Sequence, residues 1–302
     1  MLTSQMGPTL NLAFVIMRII TVAHRCILTK TLKQMKNIVK VLDEFEINRK
    51  IANFLWLNVL AVATTSFFII LFVWKVIVRE KYHNMSEFLE YYFPEERYYH
   101  VVSSLNEIFI FLFYVLPFLV FEFFYVAVCC KFRHILQNFE KKLSTEGNHD
   151  YERLTYSYFA IKSIIQHTDK VLGIFVFNIV VYNFCTMMYS LHVVVKPKDF
   201  PAPYDRLSVP FLAFSSFGLF GVMSSGASSV AEAASEIAAK AWIMPQGNSC
   251  FNQLRFIMFV EKEINLTLWG ITPIRKKFIF GMLGVIFTYT LMFYSLNIDK
   301  HV

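Results

Sequence analysis

The sequence predicts an all-α protein, a multi-pass bundle of transmembrane helices, and three observations support this fold class. Hydrophobic residues make up 56% of the 302 residues, whereas soluble proteins hold roughly 45–50%. Charged residues are 17% of the chain, against about 25% in soluble proteins. The apolar residues also cluster into runs of about 20, the length that a helix needs to cross a hydrocarbon core of about 30 Å.

Six runs of the sequence are candidates for membrane spans. Five are clear, at 51–78, 104–130, 171–195, 207–231 and 277–296. The run 8–28 is weaker because Arg18 and Arg25 interrupt it, and a central Arg costs about 2.5–3.5 kcal/mol on insertion scales. Between the spans, 131–168 is expected to be a helical loop inside the cell. Residues 252–270 have apolar side chains near helical spacing, which predicts an anchor helix before the last span at 277–297.

Lys and Arg residues in the connecting segments predict the orientation of the bundle. Segments 29–50, 131–168 and 236–277 carry six each, whereas 79–103, 196–206 and the C-terminal tail carry three, three and one. The richer set is therefore expected inside the cell, which puts the C-terminus outside. The sequon Asn84-Met85-Ser86 then falls in an external segment, and Asn84 is a glycosylation candidate. Six spans would also place Met1 outside without a signal peptide, so we expect that the sequence lacks a first span. The alternatives are a true six-span protein, or a protein of five spans if 8–28 lies in the membrane interface.

Several classes of function are disfavoured by the sequence. The net charge of +7 does not predict a nucleic-acid partner, because the basic residues form no dense patch or stripe. The chain contains no GxxxxGK[ST], HExxH, CxxC or GxSxG motif. Its eight histidines are scattered, and its five cysteines, an odd number, lie in or near apolar runs. We therefore predict no enzyme, no cofactor and no metal site.

Glu122 is a carboxylate inside the predicted span 104–130, and an intramembrane carboxylate is by default a functional candidate. Two interpretations stay open for it: a structural ion pair with Lys131 or Arg133, or a role in gating. The span 207–231 is rich in Gly and Ser, which let helices approach closely in lipid. That composition fits either tight packing at the centre of the bundle or a moving contact with a polar lining.

The last span has one helix face of mixed polarity. Thr288, Met292, Ser295 and Leu296 stand at i, i+4, i+7 and i+8, which places them on that face. Such a face could line a narrow pore, with Met292 and Leu296 closing it by dewetting and hydroxyl groups assisting ions. An ordinary packed helix is the alternative, and the spacing alone favours it.

The C-terminal part of the chain resembles arthropod gustatory receptors, which belong with the insect odorant receptors. The family's closing signature is Thr-Tyr, five hydrophobic residues and Gln-Phe. Here the signature begins at Thr288-Tyr289, continues through 290–294 and departs from the family at Ser295-Leu296. The stretch 266–277, read as LTLWGITPIRKK, is also similar to the family's link between an anchoring helix and the last span.

The resemblance implies a seven-span receptor with an internal N-terminus and an external C-terminus, in contact with lipid of the plasma membrane. Family members form homo- or hetero-tetrameric ligand-gated cation channels, joined by cytoplasmic helices and lined by the last span. In the family the glutamine of the signature faces the pore, and Ser295 stands in its place. A small tastant would bind in the outer half of the bundle, where aromatic and soft side chains are candidates. These candidates are Phe111, Tyr114, Met187, Tyr189, Phe214 and Phe217.

Two other classes of protein remain as alternatives. A G-protein-coupled receptor would have an internal C-terminus and an Asp-Arg-Tyr type triplet after its third span, and the sequence predicts neither. A membrane transporter would usually have paired, interrupted helices in two related halves, and the sequence has no such internal repeat.

Overall fold

The computed structural model of the protein describes residues 8–46, 116–145, 150–195, 203–244 and 250–298, together with isolated positions between 59 and 112. Helices account for 91% of the described residues, as expected for an all-α chain. Described positions within the predicted span 51–78 are helical. Three predicted functional residues lie outside the described part: Asn84, Phe111 and Tyr114.

Most of the described helices are long, at 23 to 45 residues, and one is short at 11. In chain order they are α1 (Pro8–Glu46), α2 (Leu116–Thr145), α3 (Tyr151–Val195), α4 (Pro203–Ile243), α5 (Cys250–Val260) and α6 (Lys276–Ile298). A short antiparallel hairpin of strands β1 (Thr267–Leu268) and β2 (Thr272–Pro273) connects α5 to α6.

Helix α3 is much longer than a membrane is thick. Its 45 residues span about 67 Å at 1.5 Å per residue, more than twice a hydrocarbon core of about 30 Å. The predicted span 171–195 is therefore the second half of a helix whose first half extends beyond it. Asp150 caps the start of α3, where its Oδ1 accepts hydrogen bonds from the backbone N–H groups of Glu152 (3.1 Å) and Arg153 (3.2 Å). The segment 131–168 is helical wherever the structure describes it, apart from Asp150.

Among the described residues, one helix is long and apolar enough to cross a membrane. It is Tyr151–Val194, whose most apolar stretch has a mean hydropathy of 1.9 and is 61% buried within the protein.

The core lies where α2, α3 and α4 pack together, with α1 against α3. Large side chains fill it, and those fully buried include Phe121 and Phe132 of α2, Phe175 and Ile179 of α3, and Phe220 of α4. Small residues bring α4 close to α2: a Cβ added at Gly226 would lie only 3.5 Å from the Cβ of Cys129. This contact supports the interpretation of the Gly- and Ser-rich run as a packing surface.

The predicted anchor helix at 252–270 is shorter in the structure, where α5 ends at Val260. The residues that follow include Ile264, Thr267 and Ile271, which are β-branched, and then Pro273, which cannot continue a helix. The tight turn between β1 and β2 is made by Trp269 (φ +52°) and Gly270 (φ +71°), and the Ile271 N–H donates to the Leu268 carbonyl at 3.0 Å. The apolar spacing there fits a helix and a hairpin about equally well, and the turn decides between them.

Candidate functional site

Helix α6 packs on the rest of the protein with one face only. Ile286 is completely buried, and Phe278, Ile279 and Met282 are partly buried against the core. The hydroxyl of Thr290 lies 3.8 Å from the sulfur of Met188 on α3. Most other described side chains of α6 are exposed although they are apolar: Phe280, Val285, Phe287, Tyr289, Leu291 and Met292. An apolar helix with this much exposed surface is expected to meet lipid or another protein.

Within that exposed surface, a stripe of small residues leads to the predicted pore positions. We call Gly281, Gly284 and Thr288 the open stripe, since they are one helical turn apart and all exposed. A Cβ added at either glycine would meet no other atom within 4 Å. The Thr288 hydroxyl donates to the Gly284 carbonyl at 2.8 Å, so its oxygen keeps lone pairs directed outward.

Of the other predicted pore residues, Met292 continues the open stripe by one turn and is 43% exposed. Ser295 and Leu296 belong to the helical backbone of α6, and their side chains lie outside the described part of the structure. Tyr289, the second residue of the signature, is half-exposed beside the stripe.

The described candidates for the ligand pocket lie in three different surroundings. Met187 is buried in the main core, and Phe217 packs against that core. Tyr189 packs on the small cluster of Val193 and Val209, whereas Phe214 is 80% exposed. These surroundings differ from one another, and a common pocket for the four side chains stays a prediction.

Glu122 has an amide partner on α3 in place of the expected basic residue. The side-chain Nδ2 of Asn183 donates to Glu122 Oε1 at 2.6 Å, and both residues are 3% exposed. A bond to a carboxylate is among the stronger hydrogen bonds in proteins, and here it fixes α2 against α3. Asn183 was not among the predicted site residues, although an Asn within an apolar run is the same kind of sequence signal as Glu122.

Aromatic rings extend this buried polar pair toward α1. The imidazole of His24 is completely buried and stacks on Phe118 at 4.4 Å between ring centroids. Phe118 stacks in turn on Tyr182 at 4.5 Å, next to Asn183 in the chain. We call Glu122, Asn183 and His24 the polar centre of the bundle. It joins α1, α2 and α3 within the apolar core, where polar groups specify one helix arrangement at a cost in stability.

The segment that joins α5 to α6 is bound to one face of α3, at three successive points. At the first, the Nζ of Lys162 donates to the Lys262 carbonyl just after α5, at 2.7 Å. The ammonium also lies 5.1 Å from the ring centroid of Phe259. Burial, helped by the nearby Lys262 charge, lowers the pKa of Lys162. Lys162 lies in the first half of α3, outside the predicted span.

At the second point, Asp169 binds Thr267 through both carboxylate oxygens. Thr267 donates its backbone N–H to Oδ1 at 2.7 Å and its hydroxyl to Oδ2 at 2.6 Å. The same hydroxyl accepts the N–H of Gly270 at 3.0 Å. One carboxylate therefore orders both β1 and the turn of the hairpin.

At the third point, Gly173 lets the turn approach the α3 backbone. A Cβ at this position would lie 3.2 Å from the Cα of Trp269 and 3.3 Å from its N, closer than most side chains allow. The ring of Trp269 contacts Phe177, one turn further along α3, at 5.5 Å between centroids. The stretch around Trp269 was singled out from the sequence as similar to the gustatory-receptor family, but its partners on α3, Gly173 and Phe177, were not predicted.

Exposed ion pairs lie around the start of α6. Arg275 pairs with Glu263 and donates to Asn265 at 3.3 Å, and Lys276 pairs with Glu232 of α4 at 2.9 Å. Such exposed pairs contribute little individually, and they supplement the buried contacts of the hairpin.

Comparisons with known proteins identify no relative: no protein-family model matches the chain, and no curated protein matches it significantly. Among the described residues, no group of three His, Cys, Asp or Glu side chains is placed to hold a metal ion.

Proposed function

We propose that this chain is a subunit of a ligand-gated cation channel of the gustatory-receptor type, with several membrane spans in the plasma membrane and a small tastant as its ligand. The observation that carries this proposal is the open stripe of α6. It is an exposed face of small and hydroxyl-bearing residues on an apolar helix, and it coincides with the Thr-Tyr signature that resembles the family's pore-lining span.

The chemistry of the open stripe suits a helix that meets copies of itself around an axis. In lipid, where there is little hydrophobic drive between helices, small residues such as Gly281 and Gly284 favour close approach. Thr288 would then present oxygen atoms to a passing cation, and Met292 and Leu296 would close the pore by dewetting. Four such helices around one axis would form the conduction path.

A second exposed surface supports assembly into a tetramer through the cytoplasmic helices. The first half of α3 and helix α5 form an apolar groove of about 650 Å³. Its exposed apolar side chains are Tyr156 and Phe159 of α3, and Phe251, Leu254 and Met258 of α5, and the exposed Arg255 and Lys262 also line it. Exposed apolar surfaces of this kind are typical of protein contacts, and we assign this one to the joint between neighbouring subunits.

Ligand binding would open the pore by a shift of population. A tastant that contacts the open state better than the closed one stabilises the open state by that difference in affinity. The six candidate pocket residues, from Phe111 to Phe217, remain the proposed site for it.

Cysteine cross-linking of α6 tests the proposal without knowledge of the ligand. Thr288→Cys, expressed in cells and treated with an oxidant, should give disulfide-linked dimers on a non-reducing gel, because the open stripes of neighbouring subunits face one axis. Ile286→Cys is the matched control, since it is two residues away on the buried face of the same helix. The unmodified chain reports any cross-linking through its own cysteines. A monomeric Thr288→Cys protein, or equal yields at both positions, would contradict the pore assignment.

A further inference from the structure

We propose that Asp169 is a positioning residue for the last helix: its bonds to Thr267 transmit movement of α3 to the start of α6. This inference rests on the proposed function in one respect, namely that α6 is the wall that moves when the pore opens. The Asp169–Thr267 contact itself belongs to the protein whatever its function. We call this contact the clasp.

The clasp acts on α6 because the hairpin leads directly into that helix. Ile274 follows β2, is completely buried, and donates its N–H to the Leu266 carbonyl at 2.9 Å. Helix α6 begins two residues later, at Lys276. The position of the hairpin therefore sets where α6 starts, whereas the body of α6 is held through one face only.

The bonds of the clasp are strong and converge on one side chain. Both carboxylate oxygens of Asp169 are used, and both accept from Thr267. Hydrogen bonds to a charged group contribute more than neutral ones, and two parallel bonds also fix an orientation. The Thr267 hydroxyl also accepts a hydrogen bond from the N–H of Gly270. Rotation of the Asp169 side chain would therefore displace both strand β1 and the turn.

The partners of the segment stand on one face of α3. Asp169, Gly173 and Phe177 are spaced by four residues, and Lys162 lies seven residues before Asp169, which is the spacing of one helix face. They contact Lys262, Thr267 and Trp269 in the order of the chain. A rigid helix that binds a segment at three successive points cannot turn or slide without displacing it.

The turn is also strained, which is typical of segments that take part in a conformational change. Trp269 has a φ of +52°, a region that costs a non-glycine residue about 1–3 kcal/mol. Its backbone lies against Gly173 and its ring contacts Phe177, so α3 itself keeps the turn in this conformation. An ordinary connecting loop would have Asn or Gly at this position of the turn.

Hydrogen exchange of the full-length protein in nanodiscs tests the positioning role directly. The variants are Asp169→Ala, which removes both bonds of the clasp, Thr267→Val, which removes the hydroxyl bond and keeps the backbone bond, and Thr267→Ser, which keeps both. Glu236→Gln is the matched control, because it neutralises an exposed carboxylate on α4 that is not one of the three points at which α3 binds the segment. Amides of 267–280 should exchange at least about tenfold faster in Asp169→Ala and Thr267→Val, since each bond to a carboxylate is worth more than 1 kcal/mol. In Thr267→Ser and Glu236→Gln they should exchange as in the parent protein. Unchanged exchange at 267–280 in Asp169→Ala and Thr267→Val would overturn the inference.

A second measurement tests whether the clasp transmits to the pore wall. Asp169→Ala is combined with Thr288→Cys, and the cross-linking yield is compared with that of Thr288→Cys alone. We expect the cross-linking yield to change several-fold. In the same Thr288→Cys background, Thr267→Val should also change the yield, whereas Thr267→Ser should keep the parent yield. Faster exchange with an unaltered yield would overturn transmission to α6. If Thr288→Cys alone gives no dimer, the proposed function fails, and the exchange measurement still decides the role of the clasp.

Discussion

The hydrogen bond between Glu122 and Asn183 makes a sharp prediction about stability. Replacement of Asn183 by Leu keeps a side chain of similar volume but removes the amide that donates to the buried carboxylate. The carboxylate then has no hydrogen bond from any described residue, in surroundings that exclude water almost completely. We expect Asn183→Leu to destabilise the protein more than an ordinary core substitution of equal volume.

The magnitude follows from the burial of both residues. Leaving one buried polar group without its partner costs about 1–3 kcal/mol, and both residues are almost completely buried, so we expect about 3 kcal/mol, the upper end, for Asn183→Leu. With an unfolding entropy of about 2.1 cal/mol/K per residue, that change lowers the midpoint of thermal unfolding of the 302-residue chain by roughly 5 °C. Removing both partners is much milder, so Glu122→Leu combined with Asn183→Leu should cost less than about 1 kcal/mol.

The assay is a thermal melt of purified protein in detergent, followed by the loss of the folded peak in size-exclusion chromatography. Large chains often unfold irreversibly, so all variants are heated for the same time. Ser224→Ala is the control for a buried polar group without a partner. Its hydroxyl is completely buried and has no hydrogen bond among the described residues, so its removal should leave the midpoint unchanged or slightly higher.

One result would refute the reasoning about the polar centre. If the double variant is destabilised by the sum of the two single variants, Glu122 and Asn183 act independently, and the hydrogen bond between them contributes nothing measurable. The expected outcome is that the double variant is destabilised by much less than the sum of the two single variants.

Three further predictions follow from the structure and the proposed function. Gly173→Ala should displace the adjoining turn and lower the free energy of unfolding by about 1 kcal/mol or more. Gly226→Ala should be tolerated, because its added Cβ meets neighbours at ordinary distances. A thermal melt compares the two variants, and equal midpoints would contradict this prediction. Leu296→Asp should abolish or lock conduction under the pore proposal, and currents unchanged from the parent would count against it. A glycosylation acceptor fused on a spacer after Val302 should be modified in cells if the C-terminus is external, with Asn84 as an internal control; an unmodified acceptor beside a modified Asn84 would reverse the predicted orientation.

The sequence is sufficient to predict most helices, because long apolar runs and their spacing are local properties. The end of α5 at Val260 could not be predicted in this way, since the residues after it fit two periodicities and the choice depends on a turn at Trp269. Gly270 is the residue of this turn that the sequence marks, because glycine readily adopts a positive φ. The positive φ of Trp269 could not be predicted, because a bulky residue rarely adopts it. The hairpin exists where it does since α3 offers Asp169 and Gly173 to receive it.

The candidate site was only partly predictable for a related reason. Helical spacing places Thr288 and Met292 on one face of α6, but their exposure and the exposure of Gly281 and Gly284 depend on how α6 packs. The partner of Glu122 stands 61 residues away in the chain, and pairing at that distance depends on how the helices pack. The same packing buries Met187 and exposes Phe214. The sequence does not distinguish these two residues, because both are large apolar side chains within apolar runs.

The clasp also bears on how the protein is made. Thr267 stands 98 residues after Asp169, so at a synthesis rate of about 5–20 residues per second it leaves the ribosome roughly 5–20 s later. During that interval the Gly173 face of α3 is not covered by the Trp269 turn, and the Asp169 carboxylate lacks its Thr267 partner. A chain that stalls or ends before Thr267 keeps that face uncovered, which gives cellular quality control a feature by which to recognise an unfinished chain.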